Sequence, residues 1–361
     1  MKRTETVTLT WNHELLEYFQ LAPEQSLFLD IETTGLTPSN SMLYLIGVLY
    51  YNTETNTFTC VQWFNETGTI EEEKSILSDF FAFAANYRTL IHYNGDGFDI
   101  PYLTTCANQH RITSTLSYLD SFDIYKKIRP LKKLLNLPQL KQKSIEQFLK
   151  IKRKDKKDGG ELIKVYKEYI ETRNNHLLEL LLLHNTDDIK GMLSILPILH
   201  YIALFDGAFT ATELFIQGEY ASIPLHTTYP LPKPLTLKRD GIIFHTEEYD
   251  ATFQIPIYEG ELKYFYSNYK DYYYLPLEDT AIHKSVASYV DKQYRTQAKA
   301  SNCYSRKMGI FLPQPEMIIT PCFKLDYKGH DTYFEIMEES TISLEQLTLY
   351  VKGLLQYLFK G

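Results

Sequence analysis

The sequence predicts an α/β protein: a mixed sheet flanked by helices over residues 1–207, then an α+β domain over residues 208–361. Three observations carry that prediction. Strand-like segments follow one another with short links between Leu27 and Phe64. Helices and strands then alternate. Around Phe205-Asp206-Gly207 the character changes, and tyrosines and short alternating segments take over. A chain of 361 residues exceeds one small core and suits two domains.

The first strand runs through Leu27-Phe28-Leu29-Asp30-Ile31-Glu32-Thr33 and breaks at Gly35. Side chains alternate across a strand, so Asp30 and Glu32 share one face and Ile31 takes the other. Met42 to Tyr51 reads as a buried strand, Asn52 to Asn56 as a turn, and Phe58 to Phe64 as a third strand. Links this short predict an antiparallel meander. Glu71 to Asn86 has helical spacing, with Ile76, Leu77, Phe80, Phe81 and Phe83 as the apolar face. Thr89 to Tyr93 is a short strand, a helix follows the Asn94-Gly95 turn, and Tyr118 to Ile124 is a further strand. From Lys126 the pattern is helical and basic. Ser144 to Lys150 reads as a helix capped by Ser144, Asp158-Gly159-Gly160 as a loop, and Glu161 to Thr172 as a helix. Asn175 to about Leu199 is a long apolar helix that bends near Pro197. In the second domain Gly241–Thr246, Ala251–Tyr258 and Leu262–Tyr266 read as alternating strand segments. Thr280–Arg295 and Ser343–Phe359 read as helices there. No internal repeat is evident.

Composition removes several classes of function. Cys60, Cys106, Cys303 and Cys322 are scattered without Cys-x-x-Cys spacing, which argues against a zinc ribbon or a disulfide framework. That usage fits a reducing cytoplasm, the expected location. The first ten residues lack the apolar core of a signal peptide, and the longest apolar run, Leu177 to Leu183, is too short to cross a bilayer. No membrane partner is expected. The net charge of −8 speaks against a polyanionic partner, but its distribution matters more than its sum. Lys126, Lys127, Arg129, Lys132, Lys133, Lys141, Lys143, Lys150, Lys152, Arg153, Lys154, Lys156 and Lys157 crowd one stretch with few acids between them. A phosphate track and a set of solvated helix faces both account for such a run; clustered acids ahead of it favour the track.

Those acids come in three groups. Two carboxylates side by side at the end of a buried strand repel each other and resist dehydration, and a divalent cation relieves both penalties. Oxygen-only ligands favour Mg²⁺ or Mn²⁺. Alone, the Asp30–Glu32 pair is explained as simply by a solvated strand end. The second group lies in His92-Tyr93-Asn94-Gly95-Asp96-Gly97-Phe98-Asp99. Asp99 opens a helix there, a common role for an acid, and Asp96 reads as a turn residue. The third is Leu183-His184-Asn185-Thr186-Asp187-Asp188, where His184 and Asp188 share a helix face at i and i+4. The apolar run before them implies a buried segment, in which an acid needs a partner.

Phe28-Leu29-Asp30-Ile31-Glu32-Thr33-Thr34-Gly35-Leu36 resembles the first motif of the DEDD-type 3′–5′ exonucleases of the ribonuclease H-like superfamily. Asn94-Gly95 followed by Phe98-Asp99 and Pro101 resembles the second motif, and Asp188 falls where the third belongs. Ser121 to Tyr125, Leu140 to Ser144, and Gly159-Gly160 are similar to the YprB-like branch. The resemblance spans about Ser26 to Leu204 and does not reach the second domain. It implies a ribonuclease H-like mixed sheet and hydrolysis of DNA or RNA at a single-stranded 3′ end by two Mg²⁺ or Mn²⁺ ions. Asp30 would bridge both ions, with Glu32, Asp99 and Asp188 completing the cage. The family's third motif has tyrosine four residues before the last aspartate, or histidine five before it; here His184 takes the tyrosine spacing. It either orients the attacking water or accepts its proton. Thr33, Asn94, Lys141, Lys143 and Arg153 are candidate substrate contacts. In the second domain Lys292, Arg295, Lys299, Arg306 and Lys307, with Tyr294 and Tyr304, suit a grip on single strands. A core built from the tyrosines of Tyr264 to Tyr274, or a contact with the first domain, is the plainer expectation. An endonuclease on the same scaffold and a non-catalytic nucleic-acid-binding module are the alternative functions.

Overall fold

A computed structural model describes residues 1–7, 13–154, 159–336 and 342–359. Lys156, Lys157 and Asp158, which the sequence reading placed in the basic run and its loop, lie outside the described residues. The chain divides into two compact units, Met1–Ile202 and Ala203–Gly361.

The first unit begins with β1 (Lys2–Val7) and α1 (His13–Tyr18), then the meander β2 (Ser26–Thr33), β3 (Leu43–Asn52) and β4 (Thr57–Phe64). It continues through α2 (Ile70–Ala84), β5 (Thr89–His92), α3 (Asp99–His110) and β6 (Asp120–Asp123). The helices α4 (Ile124–Ile128), α5 (Leu131–Leu134), α6 (Gln142–Phe148), α7 (Gly159–Thr172) and α8 (Asn175–Ile195) follow. A 3-10 turn at Leu196–Ile198 holds Pro197 and leads into α9 (Leu199–Asp206). Proline cannot donate to the helical ladder, so the bend falls there.

The sheet order is β1-β4-β3-β2-β5-β6, with the first four strands antiparallel and β2, β5 and β6 parallel. A mixed sheet flanked by helices is therefore the architecture. Alternation along β2 decides what each face meets. Leu27, Leu29 and Ile31 pack into a core with Leu77 and Phe80 of α2 and Leu103 of α3. On the opposite face Tyr44, Leu45 and Phe64 pack with Leu162 and Tyr166 of α7 and Leu181 of α8. Asp30 belongs to this second face, where α8 lies.

Gly47 of β3 lets α8 come close. It pairs with Asp30 across the strands, and a Cβ there would overlap Asn185 Oδ1 and sit 2.5 Å from Ile189 Cδ1. Glycine weakens a strand interior, and close approach by another element is a common reason for its presence.

Several details differ from the sequence expectation. Lys2–Val7 forms an edge strand on β4. The α6 helix begins at Gln142, and the Ser144 amide donates to the Lys141 carbonyl, so Ser144 lies inside the first turn and does not cap it. Gly159 and Gly160 start α7. The helix running from Asn175 to Asp206 is long and apolar enough to cross a bilayer by length and composition. Its most apolar stretch is mostly buried within the protein, as in a core helix.

The second unit contains β7 (Phe209–Ala211), β8 (Phe215–Gln217), β9 (Tyr220–Thr227), β10 (Leu235–Arg239), β11 (Ile242–Glu247) and β12 (Asp250–Pro256) in one sheet. Next come β13 (Tyr258–Phe265), β14 (Tyr272–Leu275), β15 (Thr280–His283) and α10 (Lys284–Ala287). The chain then passes through β16 (Thr296–Gln297), β17 (Tyr304–Pro313), β18 (Tyr333–Ile336) and α11 (Leu344–Phe359). The helix expected over Thr280–Arg295 is instead a strand, one helical turn and a 3-10 turn at Lys292–Tyr294. Tyr272 pairs with His283 across two strands there, and the ladder overrides the helical spacing. Tyr266 stacks on Tyr272 at 4.4 Å between ring centres, within a small core around Ala281, Ala298 and Cys303. Arg306 pairs with Glu261, Lys307 with Glu335, and the Tyr304 hydroxyl with Asp279. Each of these three residues thus has a partner within the unit, with the Arg306 and Lys307 side chains still exposed.

Candidate active site

Four acids from three elements converge beside α8. Asp30 and Glu32 end β2, Asp99 is the first residue of α3, and Asp188 lies on α8. Asp99 is fixed by the strand: its Oδ1 accepts from the Ile31 amide at 3.2 Å. Asp30 Oδ2 accepts from Asn185 Nδ2 at 2.8 Å, and Asn185 Oδ1 accepts from Gln62 Nε2 at 2.9 Å. A polar chain thus runs from β4 through α8 to β2. His184 Nε2 lies 3.0 Å from Asp188 Oδ2 and 3.6 Å from Glu32 Oε1, which joins the helix motif to the strand motif. Tyr44 reaches Glu32 Oε2 at 3.5 Å and stacks on Tyr166 at 4.2 Å. Tyr166 is buried, with its hydroxyl on the Asn65 carbonyl at 3.0 Å, so it supports Tyr44 and is not itself at the acids.

The electrostatics show how little positive charge meets these carboxylates. Burial, then repulsion from Asp188, Glu32 and Asp99, pushes Asp30 well above the ordinary carboxylate range. Burial pushes Glu32 up to about 7; His184 opposes this, while Asp188 and Asp99 add to it. Burial also pushes Asp99 up to about 7 against the relief of two backbone amides. Asp188 behaves differently. Burial raises it too, but the hydrogen bond from His184 and the pairing with Arg153 outweigh that and hold it below the usual range.

These donors fit a divalent cation. Glu32, His184 and Asp188 each present a ligand atom within 4.8 Å of the others, and the raised carboxylates around them gain most from added positive charge. Oxygen-dominated donors suit Mg²⁺ or Mn²⁺.

The candidate substrate contacts fare unequally. The Thr33 hydroxyl donates to the Gly35 carbonyl at 2.7 Å and so serves its own turn. Asn94, at φ 62°, gives its amide to Asp123 Oδ1 at 2.9 Å. Asn94 and Lys141 line one groove of about 570 Å³ together with Tyr93, Tyr125, Lys132 and Gln142. Lys143 lies on α6, half-exposed. Arg153 borders a cavity of about 690 Å³ that Lys152, Lys154 and Lys190 also line, but its guanidinium is held between Asp188 and Glu146 and is only 11% exposed. In the sequence alone Glu146, its anchor, is one more helix acid.

Also unforeseen were Asn185, Gln62, Glu146, Gln142 and Asp123. The glycine within β3 was a signal for Asn185, and Asp123 and Gln142 fall within stretches that carry the resemblance; Gln62 and Glu146 had no such signal. Asp96 is engaged away from the four acids, by Ser121 at 2.6 Å and Lys126 at 2.5 Å. Buried His92 accepts from the Gly95 amide at 3.0 Å and meets Ser121 at 2.9 Å, which braces the turn before Asp99.

Residues 27–199 match the sequence profile of the RNase_H superfamily. Their fold is a ribonuclease H-like mixed sheet flanked by helices. Solved structures similar to the chain include the metal-free complex of E. coli exonuclease I with single-stranded DNA, at 10% identity and a TM-score of 0.32 over 57% of this chain and 54% of that one. The zinc-bound form of the same complex is similar at 12% identity and a TM-score of 0.29, covering 57% and 55%. The chain therefore spans little more than half the length of those structures. A comparison with curated proteins finds no match.

Proposed function

We propose that the N-terminal domain, residues 1–207, is a metal-dependent 3′–5′ exonuclease that hydrolyses phosphodiester bonds of DNA or RNA by a two-metal-ion mechanism. The observation that supports it most is the convergence of Asp30, Glu32, Asp99 and Asp188 in one largely buried cluster, on a ribonuclease H-like sheet, with three of the four carboxylates held above their ordinary range. A cluster so costly to ionise is expected where divalent cations offset it.

Asp30, Glu32, Asp99 and Asp188 would hold the ions. When bound, such ions supply an activated water and neutralise charge on the departing oxygen. The protein's own contribution is placement and proton handling. Asn185 fixes the direction of Asp30, and the Ile31 amide fixes Asp99. His184 is the proton acceptor in this reading. With Nε2 protonated, His184 donates to Asp188 Oδ2, so Nε2 becomes a base only when Asp188 is otherwise engaged. The groove lined by Tyr93, Asn94, Tyr125, Lys132 and Lys141 offers aromatic and cationic groups of the kind that hold a single strand.

The test is a 5′-labelled single strand, as DNA and as RNA, incubated with the full chain and Mg²⁺ or Mn²⁺. A ladder descending from the 3′ end is expected, and folded Asp30→Ala and Asp99→Ala variants should give none. Discrete internal products would replace the exonuclease with an endonuclease. Binding without cleavage would leave a nucleic-acid-binding module.

A further inference from the structure

Asp188 is the most heavily restrained of the four acids, and the restraint comes from outside the other acids. Its Oδ1 pairs with the Arg153 guanidinium, and its backbone carbonyl accepts from Gln142 Nε2 at 2.7 Å. Arg153 is in turn held by Glu146 of α6, with Nη1 at 3.1 and 3.2 Å from the two carboxylate oxygens. Gln142 Nε2 also reaches Glu146 Oε1, at 2.9 Å. Glu146 is 1% exposed. A carboxylate taken that far from water is costly unless a cation and hydrogen bonds complete it, and Arg153 with Gln142 do so.

The backbone makes room for this arrangement. Gly191 lies three residues beyond Asp188 on the same helix, and a Cβ there would overlap Glu146 Oε1 and sit 2.5 Å from Gln142 Nε2. The α8 helix thus omits a side chain at the one place where α6 must reach Asp188. An arginine gripping a passing phosphate would extend into solvent; this one is folded inward onto two acids.

We infer that Arg153, anchored by Glu146, is a positioning residue that fixes the Asp188 carboxylate for cation binding at the four-acid site. The inference rests on the proposed reading of that site as metal-binding. An unrestrained carboxylate loses rotamer freedom when it ligates an ion, whereas one already held at Oδ1 presents its remaining lone pairs without that loss. Arginine suits the task because its planar fork spans two carboxylates, which the single ammonium of lysine does not. Removing the groups that orient a metal ligand weakens metal binding by on the order of 10–100-fold.

The experiment measures Mn²⁺ binding to the full chain by the electron paramagnetic resonance signal of free Mn²⁺, with circular dichroism as the check on folding. Arg153→Ala should weaken binding at least about tenfold. Glu146→Gln should weaken it less, in the same direction, and Arg153→Lys should recover part of the loss. Lys152→Ala, one residue away and exposed, should leave binding unchanged. A second readout needs no metal: the ¹⁵N resonances of His184, whose Nε2 touches Asp188, should move in Arg153→Ala and stay put in Lys152→Ala. If Arg153→Ala does not fold, Glu146→Gln and Arg153→Lys carry both measurements. Unchanged or tighter Mn²⁺ binding in the folded variants, with unmoved His184 resonances, overturns the inference. A parent chain that binds no Mn²⁺, while Arg153→Ala still moves His184, overturns the metal-dependent reading and leaves Arg153 as the residue that positions Asp188.

Discussion

At the scale of single residues, the acids divide by what surrounds them and not by their sequence spacing. Asp188 has a cationic partner; among the described residues Asp30, Glu32 and Asp99 have dipoles, one histidine and each other. Asp99 titrates near 7 when folded against an ordinary 3.8. A raised acid pKa means the folded state binds the proton more tightly, so its stabilising contribution is full below about pH 4 and fades as pH rises towards 7. Each pKa unit corresponds to about 1.4 kcal/mol. In chelator, Asp99→Asn should therefore gain stability relative to the parent between pH 5 and pH 8, and saturating Mn²⁺ should close the gap. Melting temperatures of the two proteins across that range check it; a difference that ignores pH would show that Asp99 is not strained by its charge. Replacing His184 with alanine should slow hydrolysis by about 10²–10⁴, the usual worth of general acid–base help. His184→Tyr, which restores the residue type of the resembled motif at that spacing, should recover part of the loss in single-turnover rates.

At the scale of elements, the site exists because α8 lies against β2 and β3 closely enough for Asn185 to reach Asp30. Gly47 sets that distance. Gly47→Ala should destabilise the protein by about 1–3 kcal/mol through overpacking and should also reduce hydrolysis, because Asn185 is displaced from Asp30. Combining it with Asn185→Ala should recover part of the stability but not the activity, as urea unfolding and the labelled-strand assay would read separately. Strands β2 to β6, the apolar helix and all three acid motifs were legible beforehand because period-2 and period-3.6 patterns are local. The strand at Thr280–His283 was not, because spacing that suits a helix yields there to the ladder between β14 and β15.

At the scale of the molecule, the charge distribution decides what the proposed nuclease attracts. The chain is acidic overall at −8, yet exposed Lys132 and Lys141 flank the groove that Asn94 and Tyr125 also line. Not every member of the basic stretch is available to phosphate: Lys126 is paired with Asp96 and Arg153 with Asp188. If Lys132 and Lys141 each neutralise one phosphate, replacing both with alanine should lower the salt slope of single-strand binding by about 1.4, at roughly 0.7 per phosphate. Fluorescence anisotropy over a salt series measures that slope, and an unchanged value would move the track elsewhere.

The sequence by itself determined strands β2 to β6, the helix faces beside them and which residues carry acids, since each follows from side-chain type at a local period. It also supplied the order of the three motifs, and the resemblance made that order meaningful. Only the tertiary structure decided what those acids touch. Asn185, Gln62 and Glu146 lie far along the chain or on other elements from the groups they serve, and no local period encodes a hydrogen bond between them. Arg153 shows the reason most plainly. In sequence it is one cation in a basic run, and its role depends on a buried glutamate and a missing side chain at Gly191 that only folding brings beside it.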